Sequence, residues 1–213
     1  MNLRRFLSNF LLASFSFLTL SCHQESEPNL AEVHGPLPLE QVYAAKLPYD
    51  LYAQAYPAFI FESTAQISNA EENVPKAKTI LKKNEAGDYQ LIRVPLYQDS
   101  EIEIRLINGK AYVRATGKPS FFRTRNQSEF DRLRNVALKE ILSIFQSAHF
   151  ETAGVLKESL LCSTQELGEL CTDPNTGLPL KGLLSTKSAD GMPMRVSFRL
   201  EPQAMKSVAI PTP

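Results

Sequence analysis

The sequence predicts an α+β fold: a predominantly antiparallel sheet of about eight or nine strands, with an N-terminal helix before it and one long helix packed on it. Three observations carry this expectation. From residue 58 onward, apolar and polar positions alternate for some sixty residues, the period of a strand with one buried face. Asn108-Gly109 sits between two such runs and is the strongest short signal for a two-residue hairpin turn. Residues 128 to 148 instead repeat their apolar positions at helical period.

In chain order, the first residues read as an address. Arg4 and Arg5 precede an uncharged apolar run from Phe6 to Leu20. Spanning a bilayer takes about 20 apolar residues, so this run is short for a permanent span and fits an export signal. It ends at Ser21-Cys22, a small residue before a lone cysteine. That ending resembles the lipobox of bacterial lipoproteins, where the cysteine is acylated and becomes the first mature residue. Ordinary signal cleavage with Cys22 incidental is the plainer alternative. The expected organisation is a signal at 1–21, a polar flexible tether at 22–36 and a single α+β domain at 37–213.

Leu39, Val42, Tyr43, Leu47, Leu51 and Tyr52 recur at roughly helical spacing, interrupted by Pro48, which predicts one or two short helices ending near Pro57. Ala58 to Ile67, rich in aromatic and β-branched types, reads as a strand. Residues 76–83 and 88–94 form two more around Asn84 to Gly87, a loop whose glycine accepts positive φ. In the next hairpin Ile102, Ile104 and Leu106 alternate with Glu101, Glu103 and Arg105, so the isoleucine face should be buried and the glutamate face solvated.

The loop that follows carries Phe121 and Phe122 beside Arg123 and Arg125. It would either touch a membrane surface, with Phe at the interface and Arg on phosphate, or help cap the core. In the long helix, Phe130, Leu133, Ala137, Ile141, Ile144, Phe145 and Ala148 share one face, with Arg132, Arg134, Lys139 and Glu140 largely on the other. Asn126 with Glu129, or Ser128 with Asp131, would cap its start. The segment from Glu151 to Ser163 leans to strand over short helix. Thr172 to Gly177 is a turn, Leu178 to Ser188 a strand, Ala189 to Gly191 a turn, and Met194 to Pro202 an alternating strand. A short edge strand is expected around Ser207 to Ile210.

The 213 residues are 43% hydrophobic and 22% charged, and 23 basic residues balance 23 acidic ones. Residues 1–21 hold Arg4, Arg5 and no acid, so the mature chain carries 21 basic and 23 acidic residues, a net charge of −2. Nucleic acid is therefore not an expected partner, since its binding rests on excess positive charge. With Cys22 assigned to lipid, Cys162 and Cys171 remain, and an exported chain favours a disulfide between them. A redox or metal pair is the sharper alternative, but the spacing is not that of a CxxC motif and no histidine lies nearby.

No constellation for catalysis stands out. His23, His34 and His149 are scattered, with the first two in the tether. There is no GxSxG, no phosphate-cradling glycine loop and no HExxH. Glu101 and Glu103 share a strand face and could pair as carboxylates, although a solvated surface explains them better. No enzyme activity, metal or cofactor is expected.

The stretch EIEIRLINGKAYVRATGKPSFFRTR, the amphipathic helix 128–148 after it, and DPNTGLPLKGLLSTKSADGMPMRVSFRLEP together resemble, in layout, the LolA/LolB/LppX superfamily of bacterial envelope proteins. The resemblance covers about a third to a half of the mature chain. It implies a half-open β-barrel covered by helices, with a hydrophobic cavity for acyl chains or another apolar ligand. Expected lining residues are Phe59, Phe61, Tyr89, Leu91, Ile102, Ile104, Leu106, Tyr112, Phe198 and Leu200, each equally readable as ordinary core. The leading expectation is a non-catalytic lipid-binding lipoprotein of the cell envelope, held by its N-terminal lipid. Resemblance to lipoprotein sorting signals, with His23 after Cys22, places it at the outer membrane facing the periplasm. The alternative is a non-catalytic scaffold with an envelope protein as partner.

Overall fold

The apolar alternation of the strands is satisfied by one large antiparallel sheet, curved and open, whose inner face is covered by helices. The structure, a computed structural model, describes residues 36–68, 76–96, 100–150 and 154–203. These belong to one compact unit, His34–Pro213. Cys22, nearly all of the tether and the strand expected at Ser207 to Ile210 lie outside the described residues.

Two short helices come first, α1 (Leu39–Ala44) and α2 (Pro48–Ala55). Pro48 occupies the first turn of α2, where its missing N–H costs nothing, so it starts the second helix as well as ending the first. The strands are β1 (Phe59–Ile67), β2 (Lys76–Lys83), β3 (Tyr89–Val94), β4 (Ile102–Ile107), β5 (Lys110–Ala115) and β6 (Phe122–Thr124), then β7 (Val155–Lys157), β8 (Leu160–Gln165), β9 (Gly168–Thr172), β10 (Pro179–Lys187) and β11 (Pro193–Pro202). Between β6 and β7 lies α3 (Gln127–Gln146). The sheet order is β6-β5-β4-β3-β2-β1-β11-β10-β9-β8-β7. Each half is a meander of consecutive hairpins, and the antiparallel pairing of β1 with β11 joins them.

The hairpin at Asn108-Gly109 forms as the sequence implies, both residues taking positive φ, 50° and 68°. The expectation of eight or nine strands is too low, because the described residues alone form eleven. The additions are the three-residue β6 and the hairpins β7–β8 and β8–β9. Their turns are poorly announced. Between β7 and β8 the positive φ values fall on Glu158 and Ser159, residue types that do not signal such a turn.

Cross-strand register assembles the inner face. At one level Phe122, Val113, Ile104, Leu91, Leu81, Phe61 and Leu200 follow one another from β6 to β11, each directly opposite the next. α3 lays Phe130, Ala137, Leu138, Ile141, Leu142 and Phe145 against this face, in one cluster with residues of α1 and α2. Gly182 makes room for it. A methyl group there would run into the rings of Phe145 and Phe198, which pack edge to face with centroids 5.0 Å apart. Asn126 takes the N-cap position of α3 but its side chain makes no capping bond, so the expected capping pairs do not form. Its own N–H is held instead by the Thr124 hydroxyl at 3.2 Å.

The disulfide joins Cys162 to Cys171, directly opposed residues of β8 and β9. Replacing both cysteines by alanine should lower stability by about 2.5 kcal/mol, from the chain entropy of a short loop, with the sheet retained; urea titration against wild type checks this. Gly182→Ala should cost about 1–3 kcal/mol by overpacking, read as a lower urea midpoint at unchanged slope.

Candidate functional site

The layer between the inner sheet face and the helices is where the expected lining residues meet. Phe59, Phe61, Tyr89, Leu91, Ile104, Leu106, Phe198 and Leu200 lie buried in one cluster, and half-buried Ile102 packs against it. Tyr112 does not join them. It stands opposite Arg105 and Arg123, on the outer face of the sheet, because alternation along β5 turns Ala111 and Val113 inward instead. Leu81 and Val113, missed as candidates, belong to the same inner row, and the two-residue period of their strands is the signal that marks them.

The helices fill this layer closely. Phe59 lies 5.9 Å from the Tyr49 ring and 6.4 Å from Tyr52, both on α2, and Phe198 meets Phe145 of α3. Phe59, Tyr89, Leu91 and Ile104 are 0% exposed, so no water-sized space adjoins them. Among the described residues, no backbone hydrogen bond ties α3 to a strand. The cover is held by side chains.

Polar groups fix that cover at one end. Arg134, expected on the solvated side of α3, is only 17% exposed. Its guanidinium lies over the Tyr49 ring at 3.8 Å and near Tyr89 at 5.0 Å, and pairs with Asp131 at 3.2 Å and Asp50 at 3.7 Å. The next residue, Asn135, accepts the Tyr49 N–H at 2.9 Å and so caps α2, whose own N-cap residue, Leu47, offers no side-chain bond. Burial, partly offset by Arg134, pushes the Tyr49 hydroxyl up to about 12, so the ring that Arg134 covers stays neutral. On the other arm, Tyr52 donates to Pro179 O at 2.7 Å and Tyr56 to Asp173 at 2.6 Å, seating α2 on the turn before β10.

The outer face holds a second cluster, and it corrects the reading of Glu103. That carboxylate is not solvated but 1% exposed. Arg105 reaches it at 2.6 Å, Gln90 and Arg114 also donate to it, and Phe121 lies over both arginines, with centroids 4.5 and 5.1 Å from their guanidinium carbons. Burial pushes the carboxyl up, but these hydrogen bonds and the Arg105 charge outweigh it and hold it below the usual carboxylate range. Glu101, at 48% exposure, remains on the surface 3.8 Å from Arg114. The pair does not face a common cleft with an acid–base asymmetry. Glu103 is an anchor for two arginines.

His149 is exposed, just beyond α3 at positive φ of 52°, its ring nitrogen near Ser147 O. Cys162, Glu169 and Cys171 bring possible ligand atoms within 4.8 Å of one another. Both sulfurs are committed to the disulfide, so neither offers the thiolate a metal would need. Among the described residues no helix is long and apolar enough to cross a membrane. What fold and site together define is an α+β protein with a large curved antiparallel sheet and an apolar layer roofed by three helices. No protein-family model and no curated protein matches the chain.

Glu103→Gln should lower stability by about 3 kcal/mol, because two arginines lose the anion that pairs them. The folded carboxyl titrates below its unfolded value, so its stabilisation is complete above the unfolded pKa and is lost as pH falls through the folded one. Wild-type stability should therefore decline as pH drops below about 4.3, and the decline should be shallower in the variant. Denaturant titrations across that range check both statements.

Proposed function

We propose that this chain is a lipid-anchored cell-envelope lipoprotein that binds a hydrophobic, acyl-type ligand without catalysis. In this reading the curved sheet acts as a half-open barrel, Cys22 carries the lipid, and the domain faces the periplasm from the outer membrane. One observation carries the ligand-binding part: an entirely apolar inner row faces an apolar helix stripe to which, among the described residues, no strand is bonded through its backbone. Parting the two opens a greasy cleft without breaking the sheet, so the cost of admitting a ligand is set by side-chain contacts that an acyl chain replaces. The signal-like start and the cysteine at its end support the anchor.

A second reading is a non-catalytic scaffold that docks an envelope partner. It draws on the close contacts of Phe59, Tyr89 and Phe198 with the helices, which leave those side chains no adjoining space.

Native mass spectrometry separates the two. The chain from residue 22, carrying Cys22→Ser so that no lipid is attached, should retain lipid-mass adducts when purified from cells and should bind a fluorescent fatty acid saturably. A bare mass together with no saturable probe binding would favour the scaffold. The wild-type chain recovered from membranes should carry acyl groups on Cys22, and an unmodified cysteine there would remove the anchor.

A further inference from the structure

The apolar row of the inner face does not end inside the molecule. Its last member is Phe122 on β6, 45% exposed at an open edge of the sheet. Its position there is not the result of a loose chain. The adjacent Phe121 goes to the opposite face, where Arg105 and Arg114, themselves held by Glu103, lie against its ring. Two neighbouring phenylalanines thus have opposite roles, one clamped and the other presented.

The chain on either side of the presented ring is basic. Lys118, Arg123 and Arg125 are exposed, and none of them forms an ion pair among the described residues. Other arginines of the same arm, Arg93, Arg105, Arg114 and Arg134, are all matched with acids. A mature chain of net charge −2 that leaves three cations uncompensated along the edge presenting one exposed aromatic makes that edge complementary to an anionic surface. The opposite edge makes the contrast. Val155 and Leu156 are also exposed on β7, but their neighbour Lys157 is paired with Glu169.

We infer that the β6 edge, with Phe122 on its inner face, Arg123 on its outer face and Lys118 and Arg125 in the chain before and after β6, docks edge-on on an anionic phospholipid surface. The ring enters the interfacial region, where an aromatic side chain is stable, while guanidinium groups engage headgroup phosphates through paired N–H donors. This surface takes its setting, the envelope, from the proposed function. It requires no ligand beneath α3, and failure of one does not imply failure of the other.

The test uses the chain from residue 22 with Cys22→Ser, sedimented with vesicles of phosphatidylcholine alone or mixed with phosphatidylglycerol. Binding should require phosphatidylglycerol and weaken with added salt. Removing two cations in Arg123→Gln/Arg125→Gln should lower the partition coefficient roughly 30-fold. Phe122→Ser should lower it while keeping its salt dependence. Lys187→Gln/Arg195→Gln, an equal charge change at exposed positions elsewhere on the sheet, should leave it unchanged. All five substituted sites are exposed, and circular dichroism with thermal unfolding confirms an unaltered fold. The assignment is overturned by indifference to anionic lipid, by equal losses in the two double variants, or by an inert Phe122→Ser. Binding of the fluorescent fatty acid, measured on the same variants, should be unaffected and keeps the two proposals apart.

Discussion

The pairing of β1 with β11 holds the molecule together. It joins residues far apart in the chain, Phe59 against Pro202 through Ile67 against Met194, and makes one sheet of two meanders. Every other strand pairing is between neighbours in sequence. Local hairpins close cheaply, but this seam must overcome the entropy of a long loop, so it needs strands long enough to share many hydrogen bonds and side chains. β1 and β11 are among the longest strands in the sheet, and their inward residues Phe61, Phe198 and Leu200 sit in the core. Once the seam forms, the chain between β6 and β7 has to travel from one edge of the sheet to the other. A 20-residue helix spans about 30 Å and does this while covering the apolar face that the seam created.

The cover is specified by polar residues more than by greasy ones. Apolar contact between α3 and the sheet has no strong directional preference, and many registers would bury similar area. Arg134 and Asn135 remove that freedom at the N-terminal end of α3 by engaging Tyr49, Asp50 and the start of α2. α2 is in turn seated by Tyr52 and Tyr56 on the turn before β10. α2 thus ties the long helix to the β7–β11 half. The far end of α3, around Ile141 and Phe145, contributes apolar packing, with Arg93 and Glu140 paired at its side. The directional bonds are thus concentrated on the side of α3 that meets α2.

The outer face has a separate logic. A carboxylate at 1% exposure on a sheet face that should be wet is stable only because two arginines and an amide satisfy it. The arrangement holds the loop before β6 in place through Phe121. Its consequence lies one residue further on, where Phe122, on the inner face, stays exposed at the rim.

The sequence by itself determined the elements whose neighbours are local. The strands from Phe59 to Ala115, the Asn108-Gly109 turn, the long helix, the last two strands and the cysteine pair follow from periodicity, turn chemistry and spacing, because each depends on side chains within a few residues. The tertiary structure alone decided the rest. The β7–β8 turn uses Glu158 and Ser159 at positive φ, a conformation enforced by strand pairing and not by residue type. Glu103 and Arg134 stand where a one-dimensional pattern assigns solvent, and both are covered because groups from other strands and helices converge on them. A residue's period records which way it points; whether anything lies there to meet it depends on pairings such as β1 with β11, which no local pattern contains.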